Sequence, residues 1–265
     1  AYYTLSETKM PFKADKTVDD DYFILTLFTL VQEARKKNIN LTGKDVVLGV
    51  GLPPADFGQQ AVGFKQYFID HSRHGISFRM NDKPVSFYLK DVFVSPQNFA
   101  AVMCFKASLL KKYRTVNCID IGDGTVDLLV IRNGKPDLSV RVSERSGMAV
   151  LRSEISNRIQ QNYGIHLDSS DVEQVLMGEE TILEEEIIKE IYRMADDWVH
   201  MIINKLHAHV PDVRTNPAIF LGGGSLLLKK QIEQSPEFKY IEFIDDVKAN
   251  AIGYEKLAAA RIRRG

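Results

Sequence analysis

The spacing of apolar residues changes repeatedly along this chain, and each change marks an element. Over 22–36 apolar positions recur at helical spacing, behind Asp19 and Asp20 and ahead of Arg35-Lys36-Lys37. That acid-to-base order suits the dipole of a helix. Residues 45–51 form a short β-branched run, as a buried strand requires. Leu52-Pro53-Pro54 breaks it, and helical spacing resumes over 54–70. Alternation at 76–80 and 85–94 predicts two strands joined by an Asn81-Asp82-Lys83-Pro84 turn. Pro96 suits a first helical turn and predicts a helix through Lys112. Strands are expected at 115–121, 125–131 and near 138–142, joined at Gly122-Asp123-Gly124 and Asn133-Gly134. Helices are expected at 147–162, 169–177 and 181–208. A strand at 219–221, a Gly222-Gly223-Gly224 loop, a helix at 225–233, a strand near 240–243 and a helix at 247–261 complete the chain. Strands alternating with helices give an α/β class. Trp198 lies in an Ile/Met stripe and reads as core.

Composition narrows the functions without naming one. The 265 residues are 45% hydrophobic and 26% charged, an ordinary globular balance with room for one large domain or two smaller ones. A net charge of −1 gives no global basic field for nucleic acid or membranes. Any link to DNA then runs through a local patch or a partner. Cys104 and Cys118 lie in apolar segments and suggest a reducing compartment rather than a disulfide framework. The longest apolar runs, such as 22–31, are short for a membrane span, and no cationic-then-apolar leader opens the chain. A cytoplasmic protein is expected. Ala1-Tyr2-Tyr3-Thr4 reads as a segment entered in mid-stride, so further residues are expected upstream. The pairs His71/His74 and His207/His209 have metal-compatible spacing but lack a well-placed Cys or acidic partner. The acidic stretch 179–190 reads as a solvated helix start, and Arg261, Arg263 and Arg264 as a solvated helix end.

Four segments carry chemistry. In Asp120-Ile121-Gly122-Asp123-Gly124-Thr125-Val126-Asp127, one carboxylate closes a strand and another opens its return. The glycines between them let backbone N–H groups approach phosphate oxygens, and an edge carboxylate suits Mg²⁺ held through water. A plain Asp-Gly hairpin fits the same residues. The turn is not the P-loop, since no Gly-Lys-Ser/Thr follows. Phe220-Leu221-Gly222-Gly223-Gly224-Ser225 runs from strand to helix, where glycines permit close passage of a ligand; Ser225 serves equally well as a helix N-cap. Ser95-Pro96-Gln97-Asn98 places a polar side chain at a helix start, where it can orient water or merely begin the helix. Ala249-Asn250-Ala251-Ile252-Gly253-Tyr254 is a helix whose glycine lets another helix come near.

The order of these segments resembles the superfamily of actins, chaperone ATPases and sugar kinases, and within it the plasmid-segregation actins of the ParM type. Val50-Gly51-Leu52-Pro53, Phe220–Lys230 and Asn250–Tyr254 are similar to segments of that group. The resemblance implies an actin-like, ribonuclease-H-like fold of two lobes with nucleotide in the cleft between them. The lobes would be 1–111 completed by 247–265, and 112–246. It further implies ATP (or GTP) and Mg²⁺ as ligands. Asp120 would lie near Mg²⁺ and the attacking water, with Gly122, Asp123, Gly124, Thr125 and Asp127 around the phosphates. Gln97 would position the water, Gly147 and Glu173 would line the ribose, and Gly222, Gly223 and Gly224 would pass the α-phosphate and adenosine. The family's first phosphate hairpin, Asp-x-Gly-x-x-x-x-Lys/Arg, is not found; Asp56-Phe57-Gly58 sits in the wrong place for it. Half of the phosphate clamp is therefore expected to be missing from these residues.

The function so implied is nucleotide hydrolysis coupled to assembly and disassembly of a filament that segregates plasmid DNA. The partners would be other copies of the chain and a DNA-binding adaptor protein, without direct contact to nucleic acid or membrane. A sugar or acetate kinase of the same superfamily is the rival enzyme, though no substrate-binding acid or large insertion is evident. A chaperone ATPase would need a substrate-binding domain, and a catalytically silent scaffold is the non-enzyme alternative.

Overall fold

Most of the expected elements form. The computed structural model describes residues 2–6, 13–210 and 213–263. The order is α1 (Asp21–Lys36), β1 (Lys44–Leu52), α2 (Pro54–His71), β2 (Ile76–Met80), β3 (Lys83–Pro96), α3 (Phe99–Phe105) and α4 (Ala107–Lys112). Then follow β4 (Thr115–Ile121), β5 (Val126–Arg132), β6 (Lys135–Glu144), α5 (Met148–Tyr163), α6 (Ser169–Leu176) and α7 (Glu185–His207). The described chain continues with β7 (Ala218–Leu221), α8 (Gly223–Leu227), α9 (Lys229–Gln234), β8 (Ile241–Phe243) and α10 (Ala249–Ile262). Arg264, grouped above with Arg261 and Arg263, lies outside the described residues.

Packing divides the chain into two compact units, one from Ala1–Val46 and Val62–Val92, the other from Val47–Ala61 and Phe93–Gly265. The lobes implied by the resemblance divide the chain differently, at 111/112 and 246/247. In the first unit, Phe23, Phe64, Tyr67 and Phe68 form an aromatic cluster with edge-on contacts. The Tyr67 hydroxyl donates to the Asp19 carbonyl at 2.7 Å and accepts from the Phe23 N–H at 3.0 Å. His71 is held between the Asp20 carboxylate and the Tyr67 carbonyl, at 3.0 and 2.7 Å. The β2–β3 hairpin turns on Asn81 and Asp82, both at positive φ (50° and 61°), as a type I′ turn requires.

The second unit is built on a sheet of order β6-β5-β4-β7-β8, with β4 antiparallel to β5 and parallel to β7. Strands β4, β5 and β7 are almost wholly buried, because both faces of the sheet are covered. Ile119, Leu128 and Phe220 face α5, α6 and α7, where they join Ile155, Ile191, Ala195 and Trp198. Their strand neighbours Cys118, Leu129 and Ile219 face the other way, towards Ala101, Val102 and Ala249. The period of two along each strand thus feeds two separate cores.

Four expectations are corrected. Pro96 ends β3 instead of opening a helix: the Gln97 N–H donates to the Leu52 carbonyl (2.8 Å), and Asn98 at φ 69° turns the chain before α3 begins. The helix expected through Lys112 breaks at Lys106, whose backbone (φ −132°) is not helical. The helix expected at 225–233 starts earlier, at Gly223, so the expected Gly222–Gly224 loop shrinks to Gly222, and it divides at Leu228. Ser225 is no N-cap; it lies inside α8, fully buried, and its hydroxyl donates back to the Leu221 carbonyl at 2.6 Å.

Helix α10 crosses α3 at very short range. A Cβ on Gly253 would stand 2.4 Å from the carbonyl carbon of Ala100, against backbone that cannot yield. Gly253→Val is therefore expected to cost on the order of 1–3 kcal/mol, read from a urea unfolding midpoint. An unchanged midpoint would mean that the helices do not pack this closely.

Candidate functional site

The acidic turn lies at the open end of β4 and β5. Asp120 and Asp127 face each other across the antiparallel pair, and the Gly122 N–H closes the turn on the Thr125 carbonyl at 2.9 Å. The Thr125 hydroxyl donates to the Asp127 carboxylate at 3.1 Å. The carbonyls of Gly122 and Asp123 accept from the N–H groups of Met148 (3.0 Å) and Ala149 (2.9 Å), the first residues of α5. Those N–H groups have no partner within their own helix, so the turn serves as the cap of α5. Gly147 lies flush against the turn, and a Cβ there would stand 2.5 Å from the Asp123 carbonyl oxygen.

The triple glycine closes onto the same turn. Gly222 adopts φ 87°, and a Cβ on it would fall 2.3 Å from the Asp120 carboxylate. Gly224 packs inward against Ile121 and Met148. Gly223 and Gly124 differ: among the described residues, no atom lies within 4 Å of where their Cβ would be. Two glycines thus knit the loop to the turn, and two leave backbone open to a ligand.

Around Asp120, the polar side chains form a chain of bonds. Asn250 of α10 donates to the Asp120 carboxylate at 2.9 Å and accepts from the Asn98 N–H at 2.8 Å. The Asn98 amide donates in turn to the Asp127 carbonyl at 3.2 Å. Loss of solvent and the facing charge of Asp127 push the Asp120 pKa up to about 6, against which the Asn250 bond works. Beside this chain, Tyr254 lies across Gly49 and Gly51 of β1; a Cβ on Gly51 would overlap its hydroxyl. Gln97 lies next to that hydroxyl.

On the other side of the turn, the buried Arg152 of α5 reaches the Asp123 carboxylate and donates to Glu173 of α6 at 2.9 Å. One guanidinium therefore fixes both carboxylates, an arrangement that its planar fork of donors allows. Of the expected site residues, Gly147, Gly222 and Gly224 pack directly on the β4–β5 turn, Glu173 is tied to it through Arg152, and Gln97 lies beside Tyr254. Among the described residues, no group of three or more His, Cys, Asp and Glu side chains forms a metal cage. Asp120 and Asp127, facing each other across the strand ends, are carboxylates there that a hard cation could use.

Residues 118–234 match the family model of the archaeal actin homologue MreB-like C-terminal domain. No curated protein sequence matches the chain. A crystal structure of Ta0583, an archaeal actin homologue, is similar with a TM-score of 0.77 and 19% identity, over 98% of this chain and 82% of that one. The chain has the actin-like fold. Apo pSK41 ParM is similar at a TM-score of 0.69 and 16% identity, over 94% and 73% of the two chains. A 15-stranded ParM filament from Clostridium botulinum follows at 0.60 and 22%, over 80% and 66%.

Within this actin-like fold, Arg152, Asn250 and Tyr254 make contacts that their sequence signals did not assign. Arg152 left one trace: it stands on the apolar stripe of α5, four residues after Met148 and three before Ile155, where a lone cation needs partners. Asn250 and Tyr254 lie four apart and so share a helix face, but that spacing is equally common in core helices. Their partners are distant in sequence.

The raised Asp120 pKa carries a sign. The folded protein holds this proton more tightly than the unfolded chain, whose carboxyl titrates near 3.8. The group's contribution to stability is complete below about pH 4 and is lost as pH rises through about 6. Asp120→Asn should therefore stabilise the ligand-free protein above pH 6 by on the order of 1–3 kcal/mol, with the gain vanishing below pH 4. Thermal or urea unfolding at pH 4 and pH 7.5 reads the difference. Equal stabilisation at both would show that Asp120 is not strained by its charge.

Proposed function

We propose that this chain is a nucleotide-dependent filament protein that hydrolyses ATP (or GTP) to drive its own assembly and disassembly. The observation that carries this reading is the seating of Gly222 on the Asp120 carboxylate, beside the Asp120–Asp127 pair. It brings two glycine segments, 101 positions apart in sequence between Ile121 and Gly222, to one acidic turn.

The roles follow from position. Gly122, Asp123, Gly124, Thr125 and Asp127 line the phosphate side, and the open backbone at Gly124 and Gly223 is where phosphate oxygens can approach. Gly147 and Glu173 lie on the ribose side, and Gly222–Gly224 pass the α-phosphate and adenosine. The facing carboxylates fit Mg²⁺, which accepts one or two carboxylates and completes its shell with water and phosphate. Asp120 would hold that ion through water, and the ion would neutralise charge on the phosphates. Gln97 positions water for attack on the terminal phosphate; an amide is a weak base, so its contribution is orientation. The lobes would be 1–111 with 247–265, and 112–246.

Named structures with this fold support the nucleotide and the filament. They include Ta0583 with ADP, Bacillus thuringiensis ParM with ATP and an Alp12 filament. By the same reading the filament segregates plasmid DNA in a bacterial cytoplasm. A separate DNA-binding adaptor would grip the plasmid, which suits a net charge of −1. Among the described residues, no helix is long and apolar enough to cross a membrane.

Full-length protein with Mg-ATP should scatter light and pellet above a critical concentration, and do so less with Mg-ADP. Soluble monomers in electron micrographs, together with phosphorylation of a sugar or an acid, would favour a kinase instead. Gln97→Ala should slow turnover by on the order of 10²-fold while leaving nucleotide affinity within a few-fold. Unchanged turnover would remove Gln97 from the reaction.

A further inference from the structure

The Tyr254 hydroxyl is one of the buried polar groups around Asp120 and Asp127. Its ring fills the groove that Gly49 and Gly51 leave along β1, so a side chain at Gly51 would overlap it. The ring cannot swing outward without giving up that groove, and Gly253, locked against Ala100, stops α10 from carrying it away. The hydroxyl oxygen is fully buried and, among the described residues, makes no hydrogen bond. The Gln97 side chain lies beside it and favours its ionised form slightly, though without hydrogen-bond geometry. Burial and the charges of Asp120 and Asp127 act the other way and hold the phenol protonated. The site therefore contains a neutral hydroxyl, packed against Gly51 beside Gln97 and within electrostatic reach of two carboxylates, that makes no hydrogen bond among the described residues.

Buried polar groups in native proteins are nearly always paired, and an exception is a reason to look for a ligand. Asn250, one helical turn earlier, shows what a satisfied neighbour looks like, with both ends of its amide engaged. Tyr254 shares that face of α10, and only its acceptor is missing. A core tyrosine that merely filled the β1 groove would be served as well by phenylalanine.

Resting on the nucleotide reading above, we infer that Tyr254 donates its hydroxyl proton in a hydrogen bond to an oxygen that arrives with the bound triphosphate. That oxygen belongs to the terminal phosphate or to the water lined up against it. Tyr254 and Gln97 then hold one oxygen from two sides, the tyrosine as donor and the amide as orienting partner. Two fixed contacts define a direction of attack better than one flexible amide does. No proton is transferred by the tyrosine; it remains neutral throughout.

Tyr254→Phe in the full-length protein is the test, because it removes one oxygen and keeps the ring in its groove. Without nucleotide, the variant should melt at or above the wild-type temperature, since a buried hydroxyl without a partner has been deleted. The rise in Tm produced by a non-hydrolysable ATP analogue should be smaller than in wild type, while the rise produced by ADP should be unchanged. Turnover should fall by on the order of 10²-fold in kcat with KM within about twofold. Gln97→Ala added to Tyr254→Phe should cost less than the product of the two single losses, because both act on one oxygen. Wild-type turnover and analogue stabilisation that persist unchanged in Tyr254→Phe would overturn this role and leave the nucleotide reading standing. A wild-type protein that neither hydrolyses nor is stabilised by any nucleoside triphosphate would overturn both. A variant that melts lower without nucleotide and responds equally to analogue and ADP would assign the hydroxyl to packing and end the inference.

Discussion

Two carboxylates face each other across the ends of β4 and β5, and the rest of the second unit is arranged around keeping them there. Like charges this close repel, and withdrawal from water makes the repulsion worse. The pair persists because every neighbour restricts its escape. Asn250 bonds Asp120 from one side, Gly222 covers it from another, and the Thr125 hydroxyl bonds Asp127. Such a pair is unfavourable in isolation and becomes favourable once a cation lies between or beside its members. The strain is thus stored at the site and is supported by packing elsewhere.

That packing depends on close approach of backbone to backbone. Gly147, Gly222 and Gly253 each sit where even one methyl group would collide with main chain. Three different elements, α5, the loop after β7 and α10, are thereby docked at distances that only glycine permits. The docking is rigid because main chain, unlike a side chain, has no alternative rotamer. Arg152 adds a polar tie of the same kind, linking the turn through Asp123 to α6 through Glu173.

How much of this was legible in the sequence depended on range. The strands around Asp120–Asp127 matched their expected bounds nearly residue for residue, since their alternation and turn glycines are local signals. The Gly222–Gly224 stretch was plain as a strand-to-helix junction but not as a loop, since α8 takes in Gly223 and Gly224 and leaves only Gly222 outside it. Pro96 misled, because proline suits a strand end as well as a helix start, and only the bond from Gln97 to Leu52 decides between them. The splitting of α8 from α9 was invisible, as nothing local at Leu228 opposes a helix. Asn250 and Tyr254 were read for their family likeness and for the glycine between them. Their roles come from groups such as Asp120, 130 residues away, and local period carries no information about such contacts.

The same distance has a consequence during synthesis. A chain emerging from the ribosome presents the acidic turn long before β7, whose parallel pairing with β4 brings Gly222 into place, and longer still before α10 supplies Asn250. Until then Asp120 is an ordinary solvated carboxylate on an unfinished sheet edge, titrating like one in a peptide. The nascent protein therefore passes through a stage in which the turn exists but the site does not. Contacts of such separation form slowly, and the exposed edge of β4 is most open to wrong partners in that interval. Completion of the last helix is the event that closes it.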